Sequence, residues 1–291
     1  MAAPEARELV RVDRRGPTTV LTLDHPPVNV LSRPVLERLE ARLREVADDP
    51  AARVVVLASA SEKAFAAGAD IREMASLDPA GARVHGARGQ GVTRAIERLP
   101  LPVIAAVNGV CLGGGCEVAL ACDFIVASDD ARFGQPEINL GVMPGWGGTR
   151  RLPRRVGASR ARRWILLGDP VTARQAETEG LVDRVVPRAE LMEAAFALAG
   201  ALASKPPVAL AAAKYALARA TDPGIDEGLA YELDLWARLF GTEGQKEGMR
   251  AFLAKQPFTA GPRTGWAEQS AGFPWSVARS PPTGRKGDKP A

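Results

Sequence analysis

Apolar residues recur along the first two thirds of the chain in short runs of strand length. TTVLTLD at 18–24 and VVVLAS at 54–59 are rich in β-branched residues, and between them Ser32 precedes Leu36, Leu39, Leu43 and Val46 at helical spacing. The opening therefore reads strand, helix, strand. Further runs at 103–107 (VIAAV), 124–128 (FIVAS) and 181–186 (LVDRVV) predict strands, with a short helix beginning near Gly114 between the first two. Strands that alternate with helices predict an α/β core. From about residue 188 the pattern is helical only, over roughly 188–204, 206–220, 225–240 and 243–255, with breaks at Lys205-Pro206-Pro207, Asp222-Pro223-Gly224 and Gly241-Thr242. Thr172-x-x-Gln175 and Thr242-x-x-Gln245 read as capping boxes. Beyond Gly261 the prolines at 262, 274, 281, 282 and 290 accompany a loss of periodicity, and this end is expected to be a disordered tail in which Trp266 and Trp275 leave room for docking. The division that follows is an α/β core at 1–187, a helical region at 188–258 and a basic tail at 259–291. No repeat of fixed period is visible.

Composition changes this picture little. With 291 residues, 46% hydrophobic and 25% charged, the chain can bury a full core and is neither disordered nor fibrous. The three cysteines, Cys111, Cys116 and Cys122, form no C-x-x-C pair, and only His25 and His85 could add imidazole, which argues against a disulfide scaffold or a metal site. The net charge is +4, but +3 of it lies at 261–291, where Arg263, Arg279, Arg285, Lys286 and Lys289 face only Glu268 and Asp288. A folded basic face for nucleic acid is therefore not expected. The first twenty residues hold Glu5, Glu8 and four arginines but no apolar leader, so a cytoplasmic location is expected. The apolar run at 103–121 contains three consecutive glycines and Glu117, a poor helix for lipid, so no membrane span is expected.

Candidate chemistry concentrates where glycines sit beside carboxylates: Gly113-Gly114-Gly115-Cys116-Glu117, and Gly134-Gln135-Pro136-Glu137 followed by Gly141 to Gly148. A glycine triplet opening a helix lets a ligand oxygen approach backbone N–H groups, and the helix dipole adds to the attraction. The pattern fits neither the dinucleotide fingerprint nor the P-loop. Glu117 alone reads more readily as a carboxylate stabilised by a helix N-terminus. Glu137, in a second apolar setting beside Ile138 and Leu140, adds a partner, and two weakly solvated carboxyls can hold different protonation states, as acid–base work requires. His85 and the cysteines form no constellation for nucleophilic catalysis.

At these residues the chain resembles the enoyl-CoA hydratase/isomerase family, also called the crotonase family. The ordered pieces are KAFAAGADI at 63–71, PVIAAVNG at 102–109, Gly113 to Glu117, FGQPE at 133–137 and PGWGGT at 144–149, with further likeness at 246–249 and 252–255. The likeness covers about residues 8–258. The resemblance implies an α/β fold, a spiral of repeated β-β-α units, with a C-terminal helical region that drives assembly into a homotrimer or homohexamer. It implies an enoyl-CoA hydratase of fatty-acid metabolism, adding water to a trans-2-enoyl-CoA to give a 3-hydroxyacyl-CoA. By motif, the backbone N–H groups of Ala69 and Gly114 form the oxyanion hole, while Glu117 activates water for C3 and Glu137 transfers a proton at C2. The CoA and acyl contacts it implies are Ala69, Asp70, Ile71, Arg72, Gly114, Trp146, Trp236, Phe252 and Lys255. Lys255 also reads as a solvated lysine, and Trp146 as plain packing beside glycines. Near the start, His25 stands where some relatives carry a lysine or arginine. No metal and no cofactor is implied, coenzyme A being part of the substrate. The alternatives are another crotonase-family reaction, isomerisation or decarboxylation of an acyl-CoA, or a non-catalytic binding protein on the same fold.

Overall fold

Gly16, at φ +58°, turns the chain between β1 (Val10–Arg15) and β2 (Thr18–Leu23), which pair antiparallel. The structure is a computed structural model describing residues 8–219, 224–261, 263 and 265–277. Helix α1 (Arg33–Asp48) buries Val35, Leu36, Leu39, Leu43 and Val46 on one face, with Ser32 at its N-cap position. The chain then repeats one unit: a long strand, a short strand and a helix. The first unit is β3 (Val54–Ser59), β4 (Ala64–Ala66), the single turn α2 (Ile71–Met74) and α3 (Pro79–Arg98). The second is β5 (Val103–Val107), β6 (Val110–Leu112) and α4 (Gly114–Leu120). The third begins with β7 (Phe124–Ser128) and β8 (Arg132–Gly134), followed by α5 (Gly148–Val156) and α6 (Ala158–Leu167). A short β9 (Val171–Thr172), α7 (Ala173–Thr178) and β10 (Arg184–Val186) close the series.

The long strands form a six-stranded sheet in the order β1-β2-β3-β5-β7-β10, and the short ones a four-stranded sheet in the order β4-β6-β8-β9. Each unit places one strand in each sheet, which is the β-β-α spiral that the resemblance implied. Fixed-period repetition is absent from the sequence because the connecting helices differ in length. In the large sheet, Leu21, Leu23, Val55, Leu57, Val103 and Ala105 join the core with α1, α3 and α4. The alternate residues Val20, Val54, Val56, Ala58, Ile104 and Ala106 pack against α8 (Leu191–Ala203). Burial on both faces explains why these strands read as continuous apolar runs. Helix α8, expected to start a separate helical region at 188, thus packs on the sheet. The run at 103–121 is β5, β6 and α4, all in the interior, and among the described residues no single helix is long and apolar enough to cross a membrane. The strand expected from 181 starts at Arg184, because the N–H groups of Leu181 and Val182 turn back to the Ala176 carbonyl.

Helices α9 (Pro207–Arg219), α10 (Ile225–Leu239) and α11 (Glu243–Leu253) follow, and the Thr242 hydroxyl caps α11 by accepting from the Gln245 N–H. Over residues 259–277 the expectation of a disordered tail is wrong. Two single-turn helices, α12 (Trp266–Gln269) and α13 (Pro274–Val277), dock on α9 and α10 through buried Trp266, Phe273 and Trp275. Phe273 and Trp275 stack with centroids 4.6 Å apart, and the Arg263 guanidinium lies 3.9 Å from the Trp266 ring centroid. Arg263 Nη1 donates to the Ala52 carbonyl at 3.2 Å, while Arg53 donates to the carbonyls of Lys205 and Gly261. Three large rings, each able to bury roughly 150–250 Å², supply the apolar area that ordering this segment requires. Helices of one turn show no periodicity, which is why the pattern of the sequence missed them. Residues 278–291, with Arg279, Arg285, Lys286 and Lys289, lie outside the described residues.

Replacing Trp275 with alanine is expected to lower the unfolding free energy by about 3 kcal/mol, the cost typical of deleting a buried aromatic ring. Urea denaturation measures this, and an unchanged midpoint would mean that the segment contributes nothing to the fold.

Candidate active site

The site is assembled around the start of α4. Gly113 takes φ +52° at the N-cap, and the N–H of Gly114, first in the helix, has no acceptor within it. A Cβ at Gly114 would fall 2.4 Å from the Trp146 ring, and one at Gly115 only 2.2 Å from the Ala66 carbonyl oxygen. The turn after β4 also abuts this end, since a Cβ on Gly68 would stand 3.7 Å from the Gly114 nitrogen. Ala69 follows in that turn and bridges to Leu31, whose N–H donates to the Gly68 carbonyl at 2.8 Å. Ala69 and Gly114, distant in sequence, are thereby brought to one place.

Glu117 sits in the first turn of α4 and is 2% exposed. Its Oε1 accepts the backbone N–H groups of Trp146 and Gly148, each at 2.7 Å. Burial pushes its pKa up, and the two N–H donors with the nearby Arg151 charge hold back part of that rise. The loop that supplies the donors is itself pinned. Thr93 Oγ1 and Arg151 Nη1 donate to the Trp146 carbonyl at 3.0 and 2.8 Å, and Gln90 Nε2 donates to the Gly145 carbonyl at 2.9 Å. Arg151 is held in turn by both oxygens of Glu97, at 2.7 and 2.6 Å.

Glu137 begins a turn of 3-10 helix at Pro136–Leu140, after β8. Its Oε1 lies 3.2 Å from where a Cβ on Gly113 would stand, so the second carboxylate also reaches the N-terminus of α4. Burial, with a smaller contribution from the Glu117 charge, pushes its pKa up to about 7, against the opposing pull of its own backbone N–H. The buried Gln135 amide, turned so that its nitrogen donates, reaches Glu137 Oε1 at 3.0 Å and Oε2 at 3.2 Å. A Cβ on Gly148 would touch both the Gln135 amide and Glu117 Oε1 at 3.1 Å, so Gln135 lies between the two acids. Gln135, Arg151, Glu97 and Thr93 were not singled out from the sequence. Only the adjacency of Gln135 to Glu137 could have pointed to one of them.

The remaining expected residues divide. Asp70 caps α2 by accepting from the Arg72 N–H at 2.8 Å, so Asp70 and the Arg72 backbone shape the turn after Ala69, and the Ile71 side chain is exposed beside them. Trp146 is buried, its ring wedged over Gly114 and Gly89, with the His85 ring 5.8 Å away. Trp236, Phe252 and Lys255 lie elsewhere, on the arm formed by α10 and α11, which pack on α9. Trp236 stands edge-on to Phe240 at 4.7 Å, Phe252 is 82% exposed, and Lys255 takes φ +53° just past α11. His25 Nδ1 is within 2.8 Å of the Val30 carbonyl, and the Asn29 side chain bridges Ser59 and Phe65. The three cysteines are buried and free, with burial raising Cys122 to about 12 and Cys111 well above its usual value, so neither supplies a thiolate near neutrality. The arrangement can hold a small molecule between one fixed carboxylate and one that exchanges protons near pH 7, beside the open N–H end of a helix.

A family model described as enoyl-CoA hydratase/isomerase matches residues 15–261. The short-chain-enoyl-CoA hydratase of Clostridium acetobutylicum is 42% identical over 248 residues, covering 85% of this chain and 95% of its own length. The crotonyl-CoA hydratase of Syntrophomonas wolfei is 41% identical over 252 residues, covering 86% of this chain and 97% of its own. Among solved structures, the enoyl-CoA hydratase from Bacillus anthracis superposes with a TM-score of 0.82 at 37% identity, covering 87% of this chain and 98% of its own.

Because Glu137 keeps its proton in the folded chain up to about 7, whereas an unfolded chain releases it in the ordinary carboxylate range, this group makes stability fall as pH rises through that window. Glu137→Gln removes the effect. The melting temperature of the variant relative to the parent is expected to be higher at pH 8 than at pH 5, and an identical difference at both values would show that Glu137 titrates normally.

Proposed function

This chain belongs to the enoyl-CoA hydratase/isomerase family and is an enoyl-CoA hydratase, and we propose that Glu117 and Glu137 carry its chemistry against an oxyanion hole formed by the N–H groups of Ala69 and Gly114. The observation that supports this most is the meeting of one buried and one half-buried carboxylate at the N-terminus of one helix. The thioester oxygen of a trans-2-enoyl-CoA is bound at that terminus, where the helix dipole and two N–H donors stabilise the negative charge that develops as C3 is attacked. One such donor is worth about 3 kcal/mol in activation free energy.

Glu117, its Oε1 engaged by two backbone donors, is the carboxylate best kept ionised, and it accepts a proton from water as the oxygen bonds to C3. Glu137, with a pKa of about 7, is the better proton carrier and delivers hydrogen to C2 of the enolate. The sum is addition of one water. Glu117 ends protonated and Glu137 ionised, so a proton returns between them before the next turnover. Hydration leaves the oxidation state of the thioester unchanged, so the proposal needs no group beyond the coenzyme A carried by the substrate.

The arm residues Trp236, Phe252 and Lys255 enter this proposal through assembly. On one chain, Leu229, Leu233, Trp236, Phe252 and Leu253 of α10 and α11 are exposed, and so are Val142, Met143, Leu166 and Leu167 on the body. An arm placed on the body of a neighbour buries both sets, and such a head-to-tail contact closes into a ring. A trimer or hexamer follows, with the arm residues approaching CoA in the neighbouring subunit. Asp70, Ile71 and Arg72 border the adenine, and Trp146 backs the oxyanion hole.

Loss of enoyl-thioester ultraviolet absorbance, followed across straight, branched and aromatic CoA esters, tests the activity and its substrate range. Glu117→Gln and Glu137→Gln are each expected to lower kcat by about 100-fold or more while the variants remain folded by circular dichroism. Near-normal turnover in either would remove that residue from its role. Multi-angle light scattering is expected to give a mass of three or six chains, and a fully active monomer would overturn the assembly.

A further inference from the structure

We propose that a cleft remote from Glu117 and Glu137, between the C-terminal ends of α1 and α3 and the docked α12–α13 segment, is a second ligand site that takes a phosphorylated aromatic base. The ligand is a nucleoside phosphate, either a free nucleotide or the adenosine phosphate head of a CoA molecule. The cleft has a volume of about 760 Å³ and shares no lining residue with the two carboxylates and their partners except Glu97.

Its lining is rich in arginine: Arg44 of α1, Arg94 and Arg98 of α3, Arg154 of α5 and Arg219 of α9, against Asp48 and Glu97. Glu97 holds Arg151 with both oxygens, and Arg44 has Glu40 beside it at 2.9 Å, so arginines outnumber carboxylates in the lining. Guanidinium groups grouped in this way match phosphate oxygens with paired N–H donors. Tyr215, Tyr231 and Trp275 line it as well. Tyr215 and Trp275 have centroids 5.0 Å apart, and Arg219 lies 4.3 Å above the Tyr231 ring. Trp275 is buried, and its indole N–H, itself out of contact with solvent, has no hydrogen-bond partner among the described residues. Rings and arginines lining one cleft fit a molecule that is planar at one end and multiply negative at the other.

The match to the family model ends at residue 261, so Pro274 and Trp275, which line the cleft, lie beyond it, while the other lining residues lie within it.

The test uses the full-length protein and calorimetric titration with ADP at low salt. One ADP per chain is expected, with a Kd below about 1 mM. Arg94→Glu combined with Arg98→Glu is expected to weaken binding at least tenfold while kcat/KM for crotonyl-CoA stays within about twofold, since each charged contact of this kind carries at least one power of ten in affinity. Both side chains are exposed, and the bond from the Tyr215 hydroxyl goes to the Arg98 carbonyl, which the substitution keeps. Inorganic pyrophosphate, which cannot use the rings, is expected to bind more weakly than ADP, and comparison of ADP with adenosine 3′,5′-bisphosphate separates a free nucleotide from a CoA head. Absence of ADP binding overturns the proposal. So does binding that survives the double charge reversal, which would place ADP in the catalytic site or elsewhere, and so does pyrophosphate binding as tightly as ADP. Failure of the parent to hydrate any enoyl-CoA would overturn the catalytic assignment and leave this test standing.

Discussion

A carboxylate withdrawn from water costs several kcal/mol to keep ionised unless hydrogen bonds replace its hydration, and the arrangement around Glu117 meets that requirement. Its two donors are the main-chain N–H groups of Trp146 and Gly148, so the requirement passes to the loop that carries them. That loop is pinned by Thr93, Gln90 and the Arg151–Glu97 pair, drawn from α3 and α5. It can lie this close to α4 only because Gly114 has no Cβ where the Trp146 ring rests. One buried charge thereby constrains a glycine, a loop and two helices.

Glu137 differs in kind. It accepts from the side chain of Gln135, a donor on its own loop, and is less completely buried than Glu117. Burial raises its proton affinity to a pKa of about 7, and the charge of Glu117 adds to the rise. The two acids differ in burial and in hydrogen-bond partners, the condition under which identical side chains can hold different protonation states.

The C-terminal end of the chain shows how the extension uses the helices of the arm. Lys214 of α9 donates to Asp123 and to the carbonyls of Ile96 and Leu101, tying the base of the arm to the body. On the arm, Leu235 faces inward against Trp266 and Trp275, while Leu229, Leu233 and Trp236 face outward. The extension therefore occupies one face of α10 without covering the face that assembly would use.

Local pattern determined much of this protein. Burial of the large sheet on both faces made its strands legible as apolar runs, the helices from α8 to α11 appear close to their expected limits, and five ordered motifs identified the family. Those features are legible because they depend on neighbours within a few residues, through strand propensity, helical spacing and turn glycines. Tertiary structure decided the rest. Gln135 between the acids, Arg151 and Glu97 behind the loop, and Trp146 over Gly114 are contacts between segments far apart in the chain, and no local period records them. The tail was misread for the same reason. Proline-rich composition describes what a segment does alone, whereas Arg263, Trp266, Phe273 and Trp275 become ordered only because α1, α9 and α10 present carbonyls and rings for them to pack against.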